Sequence, residues 1–368
     1  TAVAVSTVGP SASAVTYYLG DGSITVDKDV DRGAYSYQGE DGKRTYVNED
    51  KEDKGTIYVK DGNAPTEEVP STTDNSNNST EVPTPTDNAT QSTDASGNNA
   101  ENSTTTETAP GNTITVKEDV KDATIVVDGV NVDTTSTPTE VPADTKEDKT
   151  IIKVGEGANV DLTVKDSNLT TGGNGIDIGV NLEDKDDNKE TNVDLTLDNT
   201  KINLTEKDNT AGIVARDHST VDVTLKGENA IDGKEALEDA AQEAEEAKKE
   251  GMSSPNRNVE GIRVGGEGVC DDSSGAGASL TIKGDEKSEQ GSLEIDHTYT
   301  GMVISNGSDV TLTDNADVDI NNTEAGSTTQ GGRGIVQRGD LAIENNSSLT
   351  IDTVHRGVHK IDNDQGGL

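Results

Sequence analysis

The sequence predicts an all-β fold: a right-handed parallel β-helix with three strands per coil and one short helical excursion. Three observations carry this reading. Strand-length segments that alternate apolar and polar residues run through most of the chain, which is the period of a half-buried strand. The segments recur in a fixed order of three. The apolar inventory contains no Phe and no Trp, which suits a thin elongated core better than a sphere.

The alternation is clearest from Ser279 to Lys360, in SLTIKG, GSLEIDHT, GMVIS, DVTLTD, DVDINNT, GIVQ, DLAIEN, SLTIDT and GVHK. The first segment of each triplet places Thr between two aliphatic residues, with Ala342 in its place in DLAIEN. The second alternates aliphatic and polar residues, and the third opens on Gly followed by Ile, Met or Val. Upstream, NVDLTV, SNLTT and NGIDIG form the same triplet, as do NVDLTLD, TKINLT and AGIVA, and TVDVTLKG, NAI and EGIRVG. The Gly-led segment recurs at Gly175, Gly212, Gly261, Gly301, Gly334 and Gly357. A coil cannot bury its apolar face alone, so stacking is the physical solution to this pattern. Stacking in register predicts an inward column Leu162, Leu195, Val223, Leu280, Val310 and Leu341. It also predicts two outward ones: Asp161, Asp194, Asp222, Ser279, Asp309 and Asp340, and beside them Thr163, Thr196, Thr224, Thr281, Thr311 and Ala342. A Gly repeated at one corner fits either a positive φ or a close backbone approach.

Composition bounds the function. Of 368 residues, 29% are hydrophobic and 2% aromatic, and 71 acidic against 30 basic residues give a formal charge of −41. Such a charge excludes nucleic acid and anionic membrane surfaces as general partners, because both are polyanions. It favours solubility, cation association or docking to a basic partner. The single cysteine, Cys270, leaves no disulfide framework within the chain. No apolar run approaches the roughly 18 residues of a membrane span, so no membrane insertion is expected. Residues 1–15, TAVAVSTVGPSASAV, read as the remnant of a signal peptide, which predicts a secreted or cell-surface protein.

Four segments follow. After 1–15, residues 16–62 read as an N-terminal β cap holding six of the seven tyrosines. Residues 63–111, rich in Thr, Ser, Asn, Pro and Glu, read as a disordered low-complexity excursion. Residues 112–368 form the parallel β-helix, with excursions at 134–149, 183–191 and 234–257. The last contains KEALEDAAQEAEEAKKE, whose Ala, Leu, Glu and Lys are strong helix formers; its one sizeable apolar residue, Leu237, predicts a solvated helix lying on the solenoid.

The repeats resemble the right-handed parallel β-helix regions of Gram-positive, gut-type surface proteins and, more distantly, pectate-lyase-like solenoids. The resemblance covers residues 112–368 and rests on rhythm and composition. It implies an adhesin-like binding or scaffold protein that presents an acidic β-helix face to a host glycoprotein or glycan. Pectate-lyase-like solenoids also carry lyases and hydrolases, so a polysaccharide lyase or glycoside hydrolase acting on acidic polysaccharide is the alternative. A cation-binding structural stalk is a third reading.

Candidate chemistry is sparse. Stacked carboxylates of the Asp column repel one another, and Ca²⁺, a hard cation preferring oxygen, would relieve them. No other cofactor is expected. Cys270-Asp271-Asp272 superficially matches the paired Asp of polygalacturonases, but the companion Asn-Thr-Asp, Gly-His-Gly and Arg-x-Lys motifs are missing. The basic concentration in the acidic coils lies near the C-terminus. Arg333 and Arg356 each precede a coil Gly and are predicted to stack as neighbours, with Arg338, His355 and His359 close by. These five residues are the predicted ligand site; no catalytic set is predicted.

Overall fold

A computed structural model of the chain describes residues 15–28, 35–38, 44–47, 56–62, 109–135, 149–182, 188–250, 258–266, 276–285, 291–322, 332–353 and 356–361. These residues form a right-handed parallel β-helix with three strands per coil. First strands make a nine-stranded sheet, second strands an eight-stranded sheet, and third strands an eleven-stranded sheet that includes two antiparallel strands at its N-terminal edge. The first sheet counts nine coils among the described residues.

Among the described residues the parallel ladder begins at Val15. Strand Val15–Tyr18 pairs in parallel with Ile57–Lys60, and Ile24–Lys28 with Ile114–Val116, so three strands of the segment expected as a cap join the coil ladders. Their Ile-x-Val alternation is the same signal as in later coils. Among the described strands of this segment, the antiparallel pair Tyr35–Gln38 and Arg44–Val47 departs from the solenoid. The expected signal remnant lies at residues 1–14 outside the described residues, as do 63–108 of the low-complexity excursion, 136–148 and 183–187.

Inward residues build one continuous aliphatic core. Leu312 and Ile320 are fully buried and Ile304 nearly so, while Asp319 stands exposed on the opposite side of its strand, as the alternation requires. The first-sheet register, however, differs from the predicted columns. Asp161, Asp194 and Asp222 do align, but Asp222 then pairs with Thr281, and Ser279 pairs with Thr220. The inward column likewise runs Leu162, Leu195, Val223, Ile282, Leu312 and Ile343, and Leu280 belongs to the neighbouring column with Val221, Val310 and Leu341. A slip of two residues keeps every side chain on its own face, so alternation alone cannot detect it.

The true Asp ladder is therefore three residues long. Burial first, and then the charges of Asp161 and Asp222, push the Asp194 carboxyl above the usual carboxylate range. Lys283 sits 3.7 Å from Asp222 and limits the repulsion at the end of the row. A raised folded-state pKa means that ionised Asp194 costs stability above that pKa and nothing below its unfolded value. Asp194→Asn is accordingly expected to raise Tm at pH 7 and to lose that advantage as pH falls through the carboxylate range. Thermal melts of both proteins at several pH values check this, and an equal or lower Tm at pH 7 refutes it.

The coil glycines serve close approach. None of Gly175, Gly212, Gly261, Gly301 or Gly334 has a positive φ, yet a Cβ on Gly301 would stand 2.3 Å from Ile320 Cγ2 and 2.8 Å from the Gly334 carbonyl oxygen. One recurrent set of left-handed residues sits instead at the corner between first and second strands: Gly129, Asp166, Asn199 and Gly227, with φ of 66°, 48°, 51° and 61°. Gly, Asn and Asp tolerate this region best, which explains the residue types at that corner.

The helix Lys234–Glu250 interrupts the coil after the second strand Glu228–Asp232. It docks through Ala236 and Ala240, both fully buried and one helical turn apart, with Leu237 packed against the core. Lys207 on the solenoid bridges to Asp239 at 3.0 Å and Glu243 at 2.6 Å, clamping an otherwise acidic helix.

Candidate functional site: the outer face of the third sheet

The third strands differ from the others in composition. Segments such as GIVA, GMVI and GIVQ are apolar on both faces rather than alternating, and strands Ile176–Val180, Thr210–Ala215, Val259–Val264 and Thr300–Ile304 are buried throughout. Ile213 and Ala215 point into the core, whereas Val214, Val303 and Val336 are just as buried but lie outside the core cluster. The outer face of this sheet is thus a sheltered surface, unlike the solvated first-sheet face.

Charge stands on that sheltered surface in register. One column runs Ala211, Glu260, Thr300, Arg333 and Arg356. A second runs Lys153, Asp177, Val214, Arg263, Val303, Val336 and His359. Arg216 and Arg338 each follow directly on a third strand. All five arginines whose side chains are described, Arg216, Arg263, Arg333, Arg338 and Arg356, therefore belong to the third strand or its exit.

At the middle coils the face forms a cleft of about 210 Å³, lined by Lys153, Asn174, Asp177, Val214, Arg216 and Arg263 among others. Arg216 donates from Nε and Nη2 to the two Asp177 carboxylate oxygens at 2.8 and 2.9 Å, a bidentate pair on a carboxylate only 4% exposed. Asn174 Nδ2 donates to Asp177 Oδ2 at 2.8 Å. Arg263 donates from Nε to Glu260 Oε2, with side-chain exposures of 8% and 0%. Burial pushes the Glu260 carboxyl up, and the Arg263 charge partly offsets this. Glu260 Oε1 and Arg263 Nη2 are buried with no hydrogen-bond partner, so this pair retains one acceptor and one donor.

Toward the C-terminus the carboxylates drop out of the column. Arg333 and Arg356 are register neighbours, as predicted from their Gly-adjacent positions. Arg356 Nη1 lies 3.2 Å from His359 Nε2, and the Arg333 guanidinium sits 5.7 Å from the centroid of the Tyr299 ring. Burial first, then the Arg356 and Arg333 charges, hold the His359 imidazole below its usual range. Arg333 Nε and His359 Nδ1 are buried and make no hydrogen bond. Arg338 lies at the exit turn of the Arg333 strand, where its backbone N–H donates to the Ile304 carbonyl at 2.8 Å. His355 lies outside the described residues, as do Cys270, Asp271 and Asp272.

Of the five predicted residues, Arg333, Arg356 and His359 come together and Arg338 follows on the same strand. Sequence reasoning missed Lys153, Asp177, Arg216, Glu260 and Arg263, which extend the site five coils upstream of Arg333. The signal was available: Asp177, Arg263 and His359 all stand two residues after a coil Gly. The Asp column, by contrast, gathers no metal site, and among the described residues no group of three or more His, Cys, Asp or Glu is placed to hold a metal ion. Comparison with known proteins returns no matching family model, no matching curated protein and no matching solved structure.

Proposed function

We propose that the chain is a secreted or cell-surface, adhesin-like binding protein that holds an acidic saccharide chain, free or on a host glycoprotein, along the outer face of the third sheet. The observation that carries this is the segregation of the five arginines whose side chains are described onto one face of a protein with charge −41. Guanidinium groups recognise carboxylate and sulfate oxygens in forked geometry, and arginines spread over several coils stacked ~4.8 Å apart match an extended chain better than a compact ligand. The surrounding carboxylates disfavour any polyanion that cannot reach the arginines. At physiological ionic strength the Debye length is about 8 Å, so distant carboxylates are screened while direct contacts persist.

Calorimetry with a uronate-bearing or sulfated oligosaccharide and its neutral counterpart tests the reading. The acidic ligand is expected to bind and the neutral one to bind at least tenfold more weakly. Removing one charged hydrogen bond costs about 1.5–3 kcal/mol, so Arg216→Ala is expected to weaken binding tenfold or more. Equal binding of the neutral ligand, or sensitivity to Asp161 substitution with none to Arg216, overturns it.

The enzymatic alternative draws on Glu260, a buried carboxyl with a raised pKa beside a cleft, which is the environment of a general acid. Turnover of pectin, alginate or a glycosaminoglycan, abolished in Glu260→Gln, would establish it in place of simple binding.

A further inference from the structure

We infer that Arg333, Arg356 and His359 form a tetrahedral-oxyanion site, fitted to the sulfate ester of a sulfated saccharide, whose affinity rises on acidification. The inference rests on the binding role proposed for this face and assigns a separate specificity and a pH response to its C-terminal part.

Geometry distinguishes this part from the middle cleft. Upstream, Arg216 is held by Asp177 and Arg263 by Glu260, so each guanidinium already has a carboxylate. At Arg333 and Arg356 no carboxylate is bridged among the described residues. Instead, two guanidinium groups stand on register-neighbour positions with a histidine three residues along. Like charges one strand spacing apart repel unless an anion lies between them. A tetrahedral oxyanion offers three oxygens in different directions, one for each guanidinium and one for an imidazole N–H, whereas a carboxylate has two oxygens in one plane to share among the three donors. Arg333 Nε and His359 Nδ1, both without a hydrogen bond, are donors still to be matched. Tyr299 under Arg333 fixes one side of the pair and adds a flat apolar surface.

The pH response follows from what faces His359. Its own strand supplies Arg356 and Lys360, and the neighbouring strand supplies Arg333, uncharged Val336 as its register partner, and Gln337; Arg338 follows at that strand's exit. Every charged group on these two strands is cationic; the second strand Ser348–Thr353, which also packs on the His359 strand, brings one exposed carboxylate, Asp352. In the free protein burial first, and then the Arg356 and Arg333 charges, hold the His359 imidazole below its usual range, and its Nε2 accepts from Arg356. A bound sulfate neutralises them, lifts the imidazole pKa and draws a proton onto His359, whose N–H then donates to the anion. Binding is therefore coupled to proton uptake, and affinity rises as pH falls through the histidine range.

Calorimetry with a sulfated oligosaccharide, its desulfated form and inorganic sulfate, at pH 7.5 and 5.5, tests this on the full chain. The sulfated ligand is expected to bind about tenfold more tightly at pH 5.5, the equivalent of one pKa unit on one group. His359→Gln should abolish the pH effect while retaining binding at pH 7.5, and Arg356→Ala should weaken the sulfated ligand more than the desulfated one. Circular dichroism confirms that both variants fold. Tight binding of inorganic sulfate with no gain from the saccharide would reduce the site to one for a free anion and overturn the saccharide assignment. Sulfated-ligand binding that ignores pH, His359 and Arg356 overturns the inference while leaving the middle cleft and the proposed function intact. Failure of every acidic saccharide to bind defeats the proposed function itself.

Discussion

Gly261→Ala is expected to destabilise the solenoid by roughly 3 kcal/mol, the upper end of the usual cost of overpacking. The added Cβ would stand 2.3 Å from Ile295 Cγ2 and 2.4 Å from the Gly301 carbonyl oxygen, far inside van der Waals contact. One of these atoms belongs to a fully buried core side chain and the other to the backbone of the next coil, so neither can swing away. Relief requires the third and second strands of neighbouring coils to separate, which loosens the ladder on both sides. The molecule carries its own control. At Gly357, in the last described coil, the nearest heavy atom to an added methyl is Ile351 Cγ2 at 4.0 Å, and no positive φ is involved. Gly357→Ala should therefore be close to neutral. Denaturant melts of the two variants decide the matter: equal stabilities would mean that the glycine column is not a packing requirement.

That contrast also shows what the sequence could disclose. The triplet rhythm and the Gly column were legible because a solenoid repeats its local physics every coil, and the same corner needs the same residue each time. Composition made the fold legible too, since Val, Ile and Leu without Phe or Trp can fill a narrow triangular core. Register was not legible. The segment SLTIKG aligns with VDVTLKG equally well two residues apart, because both placements bury Leu280 and Ile282, and only the contacts at the strand ends distinguish them. The Asp column was lengthened by that ambiguity from three residues to six.

The site was half legible for a different reason. Arg333, Arg338, Arg356 and His359 are dense in sequence and stand out against an acidic background. Arg216 and Arg263 are single residues separated by the helix Lys234–Glu250, and only the stacking of coils brings them into the same face. Their carboxylate partners lay further still from notice: Asp177 is 39 residues from Arg216, and one aspartate among 71 acidic residues carries no signal until the fold pairs it. The apolar character of the third strands was the clue that could have found the whole face. A strand exposed on one side should alternate, and GIVA and GMVI do not.

Arg263→Ala is expected to cost about 3–5 kcal/mol at neutral pH, because it leaves Glu260 buried and charged with no cationic partner. Glu260 has no solvent exposure, and among the described residues the charge-assisted hydrogen bond to its carboxylate comes from Arg263 Nε. Without that cation, burial is opposed by the Asn258 side chain and no longer by Arg263, and it raises the Glu260 pKa further above its unfolded value of about 4.3. The sign follows from linkage. A carboxyl whose folded pKa is raised costs stability at every pH above that pKa, and the cost vanishes as the pH falls below the unfolded value. The Arg263→Ala deficit should therefore be full at pH 8, shrink through the acid range, and be smallest near pH 4 relative to wild type. Replacing both partners, as Glu260→Gln with Arg263→Met, removes the buried charge and retains volume, so it should recover most of the loss. Denaturant unfolding of wild type, Arg263→Ala, Glu260→Gln and the double variant at pH 8, 6 and 4 measures each quantity. A pH-independent deficit in Arg263→Ala would assign the loss to packing of the guanidinium stem. In that case Glu260 would tolerate its burial through another partner, and the ion pair would not be what holds this part of the cleft together.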